Sequence, residues 1–297
     1  MTLLELARSY LACRFVSSRH TEDVLSVCRR AALAQTNGHI DPVELIRWLQ
    51  SQRAQGRSLA TIARQRRILQ AVLHWGAEQG LCPLIRLPQI KVPPPAPEAW
   101  SVEQVGRILQ MASQWPGRVG RWPAKDWWPA LILVVYWTGA RIGSILAAKP
   151  SEWDGQYLIL RHTKTGKQAV YRLHEQAAAA IGRVYDPKAE RLFAWPHCRT
   201  HLFVVFRRIV EAAGVTAPKG TSSLFHRLRR TCLSYCWAAD PAVAQRQADH
   251  ASAEITRRHY VDPRIAQQAK TAADVLPVPE YRPGPVQLRL FPEARTA

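Results

Sequence analysis

The sequence predicts a mainly α-helical chain of two domains that carries one small antiparallel sheet. Three observations lead there. Apolar residues recur at helical spacing through most of the chain. A single pair of strand-like runs, "YLILRH" and "QAVYRL", flanks "TKTGK". The stretch "LPQIKVPPPAPEAW", 87–100, holds five prolines and forms a stiff, extended break. It divides a helical domain at 1–88 from a larger one at 100–275, with 89–99 as linker and 276–297 as a tail.

The elements follow in order. "MTLLELARSYLACRF" reads as an amphipathic helix, because Glu5 precedes any basic cluster and a secretory signal would not place it there. "DPVELIRWLQSQ" opens with Asp41 as N-cap and Pro42 at the first helical position. "SLATIARQRRILQAVLHWGAEQG" opens with Ser58 and repeats Leu59, Ile62, Ala63, Leu69, Val72 and Leu73 on one stripe. Arg64 and Arg67 fall off that stripe, where they meet solvent or phosphate. Gly80 ends the helix and Pro83 follows.

Past the linker, Ser101 and Gln104 form a capping box over a helix whose buried face is Val105, Ile108, Leu109 and Ala112. "WWPALILVVYWTG" is apolar nearly all round, so it belongs in the middle of a core. It runs into "GARIGSILAAKPSEWD". The hairpin comes next, with Gly166 suited to its turn and Lys164 at or just before the tip. Helices resume from 174, one of them starting at Asp240-Pro241, and the proline-rich tail has little periodicity.

Composition narrows the function. There are 41 Lys and Arg against 22 Asp and Glu, a net charge of +19. A charge that large repels itself in a compact chain and points to a polyanionic partner. Nucleic acid comes first, since cations release counterions condensed on phosphates. The longest apolar run, "ALILVVYW" at 130–137, is too short to cross a bilayer, so a membrane partner is not expected. The six cysteines (13, 28, 82, 198, 232, 236) include no CxxC and read as reduced thiols. "HCRTH", 197–201, lacks a second ligand pair and argues against zinc; no metal or cofactor is expected. Of the eleven tryptophans, Trp122, Trp127 and Trp128 stand near Arg121 and Lys125, where base stacking is conceivable and core packing is the commoner use.

Three segments carry chemistry. In "LFHRLRRTCLSYCW", 224–237, His226 and Arg229 are three apart and share a helix face. A guanidinium offers a planar fork of donors suited to phosphate. An exposed basic turn on a core helix fits the pattern equally well. In "TGARIGSIL", Arg141 follows an apolar helix, where a cation needs an anionic partner, either phosphate or a carboxylate of the chain. In "DHASAEITRRHYVDP", His250 is followed ten residues on by Tyr260.

Taken together, "TGARIG", "HTKTGK", "HRLRRT", "DHASAEIT" and "RRHYVDP" resemble the tyrosine recombinases, or phage integrase family, in order and with comparable gaps. The N-terminal helices resemble that family's core-binding domain. The resemblance implies two domains that close on duplex DNA as a clamp. It implies strand cleavage and rejoining through a 3′-phosphotyrosine, without metal or ATP, in a homotetramer on DNA. Free in the cytoplasm, at the nucleoid, the chain is expected to be a monomer or weak oligomer.

By the same resemblance Tyr260 is the nucleophile. Arg141, Arg229 and His226 hold the scissile phosphate, Lys164 protonates the leaving 5′-oxygen, and His250 is a further phosphate donor. The physical logic agrees. Attack at phosphorus adds charge that preorganised donors must meet. A phenol, with a pKa of about 10, is a weak nucleophile at neutral pH until cations favour its phenolate. The alkoxide leaving group needs a proton. The covalent link conserves the energy of the broken bond.

The sequence departs from the family's usual pattern in places. Ser144 stands three residues after Arg141, where an acidic residue is usual. "ADH" replaces "LGH" before His250. The interval to the tyrosine is ten rather than nine, which leaves His259 at the usual place. Lys167 competes with Lys164 on the same hairpin. The alternatives to a recombinase are a relaxase like the type IB topoisomerases and a DNA-binding protein that keeps only the shape.

Overall fold

A computed structural model describes residues 1–93, 96–161, 168–218, 224–248, 252–262 and 265. The chain splits into two compact units, Met1–Pro95 and Ala96–Ala297.

The first unit is four helices: α1 (Leu3–Ala12), α2 (Ser18–Ala32), α3 (Pro42–Ala54) and α4 (Leu59–Glu78). Each begins on a side-chain cap that satisfies amide donors the helix cannot. Thr2 and Glu5 form a capping box, and Ser17, Asp41 and Ser58 accept from the first turns of the other three. The helices bury Leu6, Val27, Leu45, Leu69 and Leu73 together. Gly76 lets α1 approach closely, since a Cβ there would lie 2.8 Å from Leu6 Cδ1. Arg64 and Arg67 are exposed off the buried stripe, and Arg64 pairs with Asp23. Beyond α4 the chain is pinned back along it. Gln70 donates to Ile85 O and accepts from Leu87 N–H, both at 2.8 Å, and Arg66 donates to the carbonyls of Leu87 and Pro88.

The second unit runs α5 (Val102–Ala112), β1 (Arg118–Val119), β2 (Trp122–Pro123), α6 (Ala124–Thr138), α7 (Ile142–Ala147), β3 (Tyr157–Leu160), β4 (Ala169–Arg172), α8 (Glu175–Arg183), α9 (Arg199–Ala212), α10 (Leu224–Ala239), α11 (Pro241–Ala248) and α12 (Ala253–Tyr260). Ser101 and Gln104 cap α5 as a box. Every residue of α6 from Trp127 to Thr138 is buried, and α5, α8 and α10 pack around it. Trp128 stacks on Phe206 of α9 at 6.1 Å, and Trp127 and Trp128 are each 1% exposed, so both are core residues.

β3 and β4 pair antiparallel from Tyr157↔Arg172 to Leu160↔Ala169, where the alternating runs placed a hairpin. Its tip, 162–167, lies outside the described residues, and Lys164 and Lys167 with it. The single sheet expected from the sequence has a companion: β1 and β2 form a second two-stranded pair just before α6. Strands of two residues show no alternation, so nothing periodic announces them. Gly117 and Gly120, at φ of +86° and +56°, make that turn possible. The tail, 276–297, also lies outside the described residues.

Candidate active site on α7, α10 and α12

The site is built around the exit of α6. Gly139 takes a left-handed conformation, φ +59°, and ends the helix. The Thr138 hydroxyl fixes the turn: it donates to Val134 O at 2.6 Å and accepts from Ala140 N–H at 3.1 Å. Arg141 is thereby set as the N-cap of α7, with extended backbone, and its carbonyl accepts from Ser144 and Ile145. Its side chain is partly exposed and makes no ion pair with a described carboxylate. Ser144, in the usual place of an acidic residue, is buried.

α10 presents Arg229, only 2% exposed. A buried guanidinium must spend its donors on acceptors. Here Nη1 donates to Gly139 O, and Nη2 donates to Ala248 O at 2.8 Å. The fork thus joins α10 to the turn before Arg141 and to the end of α11. Gln247 ties α11 directly to the end of α6, since its Nε2 donates to Trp137 O at 3.0 Å and Thr138 O at 2.8 Å.

α12 brings Tyr260 as its last residue. The ring meets His226 edge to face at 5.1 Å between centroids, and the Arg229 guanidinium carbon lies 5.0 Å from the ring centre. His259 is exposed. Four residues distant in sequence, Arg141, His226, Arg229 and Tyr260, therefore share one locality. Burial chiefly lowers the pKa of both His226 and Arg229, and the charge of Arg141 adds to the lowering in each. His250 lies outside the described residues, as does Lys164.

Burial, then the charges of Arg230, Arg229 and Arg141, pull His226 from its ordinary 6.5 to about 4. His226 is therefore a neutral imidazole at pH 7 in the chain free of DNA. The sign for stability follows. The folded pKa lies below the unfolded one, so the contribution is complete above about pH 6.5. It is lost as pH falls toward 4, because the unfolded chain takes up a proton that the folded chain refuses. Urea unfolding at pH 7, 5 and 4 should show the stability of the DNA-free chain falling across this window. His226→Asn should reduce that fall by up to one proton's worth of slope; an equal slope in the variant would count against the buried neutral histidine.

The sequence did not single out several participants. Arg230 supplies the largest neighbouring charge on His226, and its buried Nε has no hydrogen-bond partner among the described residues. Ser234 donates to Tyr260 O and accepts from Asp262 N–H, while the Asp262 carboxylate accepts from Ala99 N–H. For Ser234 the signal would have been a polar residue at a position the helix pattern makes internal. "HCRTH" behaves differently from this cluster. The His197 and His201 rings meet at 4.8 Å beside Trp195, but among the described residues no group of three metal-binding side chains forms. Among the described residues no helix is long and apolar enough to cross a membrane.

No curated protein sequence matches. Solved structures do match in fold. A lambda integrase (residues 75–356) dimer bound to a COC′ core site shares 19% identity at a TM-score of 0.70, over 89% of this chain and 96% of that one. A lambda integrase tetramer bound to a Holliday junction shares 18% at 0.69, over 86% and 76%. The Tn1549 transposon integrase in complex with circular intermediate DNA shares 18% at 0.67, over 88% and 95%. At such identities the likeness is one of fold. The sequence model described as "Phage integrase family" matches residues 101–266, a span that holds Arg141, His226, Arg229 and Tyr260, and the chain belongs to that family.

Proposed function

We propose that this chain is a site-specific DNA recombinase that cuts and rejoins strands through a 3′-phosphotyrosine at Tyr260. The observation that carries the reading is the packing of the Tyr260 ring against both His226 and Arg229, with Arg141 close by. One phenol amid guanidinium and imidazole groups is a donor set for phosphoryl transfer. Arg141 and Arg229 meet charge on the non-bridging oxygens, and His226 donates one further hydrogen bond. Arg141 suits this part, since it spends no ion pair on a described carboxylate. These donors meet the developing charge without a metal, and the phosphotyrosine stores the bond energy, so no ATP is required. Lys164 as general acid and His250 as a further donor rest on the family resemblance.

The partner is duplex DNA, held mostly by phosphate contacts with a few base contacts choosing the site. The net charge of +19 supports this. The structural relatives, a dimer bound to a core site and a tetramer bound to a Holliday junction, support a working form that is a tetramer on DNA. The division 1–88, 89–99 and 100–275 assigns the core-binding role to the first part and catalysis to the last.

The test is covalent capture. The chain is mixed with a pool of randomised duplexes, each nicked a few nucleotides 3′ of possible cleavage points so that the short 5′-hydroxyl fragment is lost. A recombinase yields a protein–DNA adduct enriched in one sequence. Adducts with no sequence preference, together with relaxation of any supercoiled plasmid, would move the reading to a relaxase. No adduct at all would leave a DNA-binding protein.

A further inference from the structure

Tyr260 is the last residue of its helix, and its placement needs something to hold the chain where the helix stops. Three residues of α10 in a row bind that segment or the one packed beside it, 98–100. Arg227, Thr231 and Ser234 stand at i, i+4 and i+7, hence on one stripe, with His226 and Arg229 on the flank. Ser234, fully buried, donates through Oγ to Tyr260 O at 3.2 Å and accepts from Asp262 N–H at 2.8 Å. Thr231, also fully buried, accepts from Trp100 N–H at 2.9 Å. Arg227 pairs with Glu98. Asp262 is 1% exposed, and its Oδ2 accepts from Ala99 N–H at 2.9 Å. The segment 98–100, where the chain enters the second unit, is thus tied both to the phosphate-binding helix and to the residue two past the tyrosine.

A carboxylate is unfavourable to bury, and its hydrogen bonds must offset the lost hydration. An apolar residue would fill the same space at less expense. What an apolar residue cannot do is hold the amide of Ala99 while its own amide holds Ser234. We propose that Asp262 and Ser234 are positioning residues for Tyr260, and that Asp262 fixes the nucleophile's backbone relative to the incoming linker at Ala99. This rests on Tyr260 being the nucleophile. Neither residue acts on DNA; each acts through the backbone of the tyrosine segment. In-line attack tolerates little error, and a displacement of about 1 Å costs roughly a hundredfold in rate.

The experiment uses the full-length chain and the nicked duplex recovered from the randomised pool by wild-type capture. Asp262→Ala should slow single-turnover adduct formation about a hundredfold while duplex affinity stays within about threefold, a loss in chemistry and not in binding. Asp262→Asn keeps an oxygen for Ala99 N–H and should return the rate to within about tenfold of wild type. Ser234→Ala should slow the reaction about tenfold. A second readout needs no DNA. Hydrogen exchange in the peptide covering 253–262 should rise about tenfold in Asp262→Ala and Ser234→Ala, with α6 unchanged. Wild-type adduct rates in both alanine variants, or unaltered exchange at 253–262, would overturn the tether. Tyr260→Phe, run beside them, judges the underlying reading. If it still forms the adduct, the nucleophile is another residue; if the wild-type chain forms none, the recombinase assignment fails; in either case the exchange result still decides whether Asp262 and Ser234 hold the segment.

Discussion

Tyr260→Phe should bind the captured duplex with wild-type affinity and form no covalent adduct, a loss of ~10⁴-fold or more. The variant isolates a single oxygen. The phenyl ring keeps its edge contact with His226 and its place by the Arg229 guanidinium. The tethers to Ser234 engage the backbone of 260 and 262, which the substitution does not touch. Stability should therefore change by no more than about 1.5 kcal/mol, which makes the comparison of rates clean. Gel-resolved adduct on the nicked duplex measures the first quantity, and a filter or anisotropy titration measures the second. An adduct that persists would identify another nucleophile. His259, one residue earlier, is exposed, whereas the Tyr260 ring packs on His226 and Arg229, so His259 is not the group to expect.

The contrast between Tyr260 and its surroundings shows what a sequence carries and what it does not. Helix α4 was legible because Ser58 caps it and its apolar stripe repeats, and α6 because it is apolar on every side. The β1–β2 pair was not, since two residues per strand hold no period. The site residues stand at intervals of 85, 3 and 31 positions, from 141 to 226 to 229 to 260; the helix period joins only the middle pair, and no local rule of spacing reaches 141 or 260. Family resemblance suggested the grouping, and the fold brings the four together. The backbone partners were beyond reach of either. Gly139 O and Ala248 O accept from Arg229, yet a carbonyl belongs to every residue and leaves no mark in the sequence. Asp262 in "YVDP" reads as a turn residue until its burial is known. Lys164 and His250 lie outside the described residues, and their roles stay with the proposal.

Arg229 should prove to be both a structural and a catalytic residue, and its substitutions should separate from those of Arg141 on that account. The Arg229 side chain is almost wholly buried, and two of its nitrogens serve backbone carbonyls on different elements. Burial lowers its pKa while the Tyr260 hydroxyl group opposes that shift, and the guanidinium remains a cation at any physiological pH. Arg229→Ala removes the fork and leaves buried carbonyls without donors. A loss of ~3 kcal/mol in stability and of at least ~10³-fold in adduct rate is expected. Arg229→Lys keeps the charge, but one ammonium lacks the planar geometry to span both acceptors. It should recover part of the stability and little of the rate. Arg141→Ala should lose the rate to a similar degree while unfolding within about 1 kcal/mol of wild type. Its side chain is partly exposed, and the fold draws on the Arg141 carbonyl rather than the guanidinium to start α7. Urea unfolding and single-turnover capture, run on the same three variants, read the two axes independently. Equal destabilisation at 141 and 229 would mean that the guanidinium of Arg229 does not hold the Gly139 turn to α11. A normal adduct rate in Arg229→Lys would mean that charge alone suffices at that position and the fork geometry is dispensable for the chemistry.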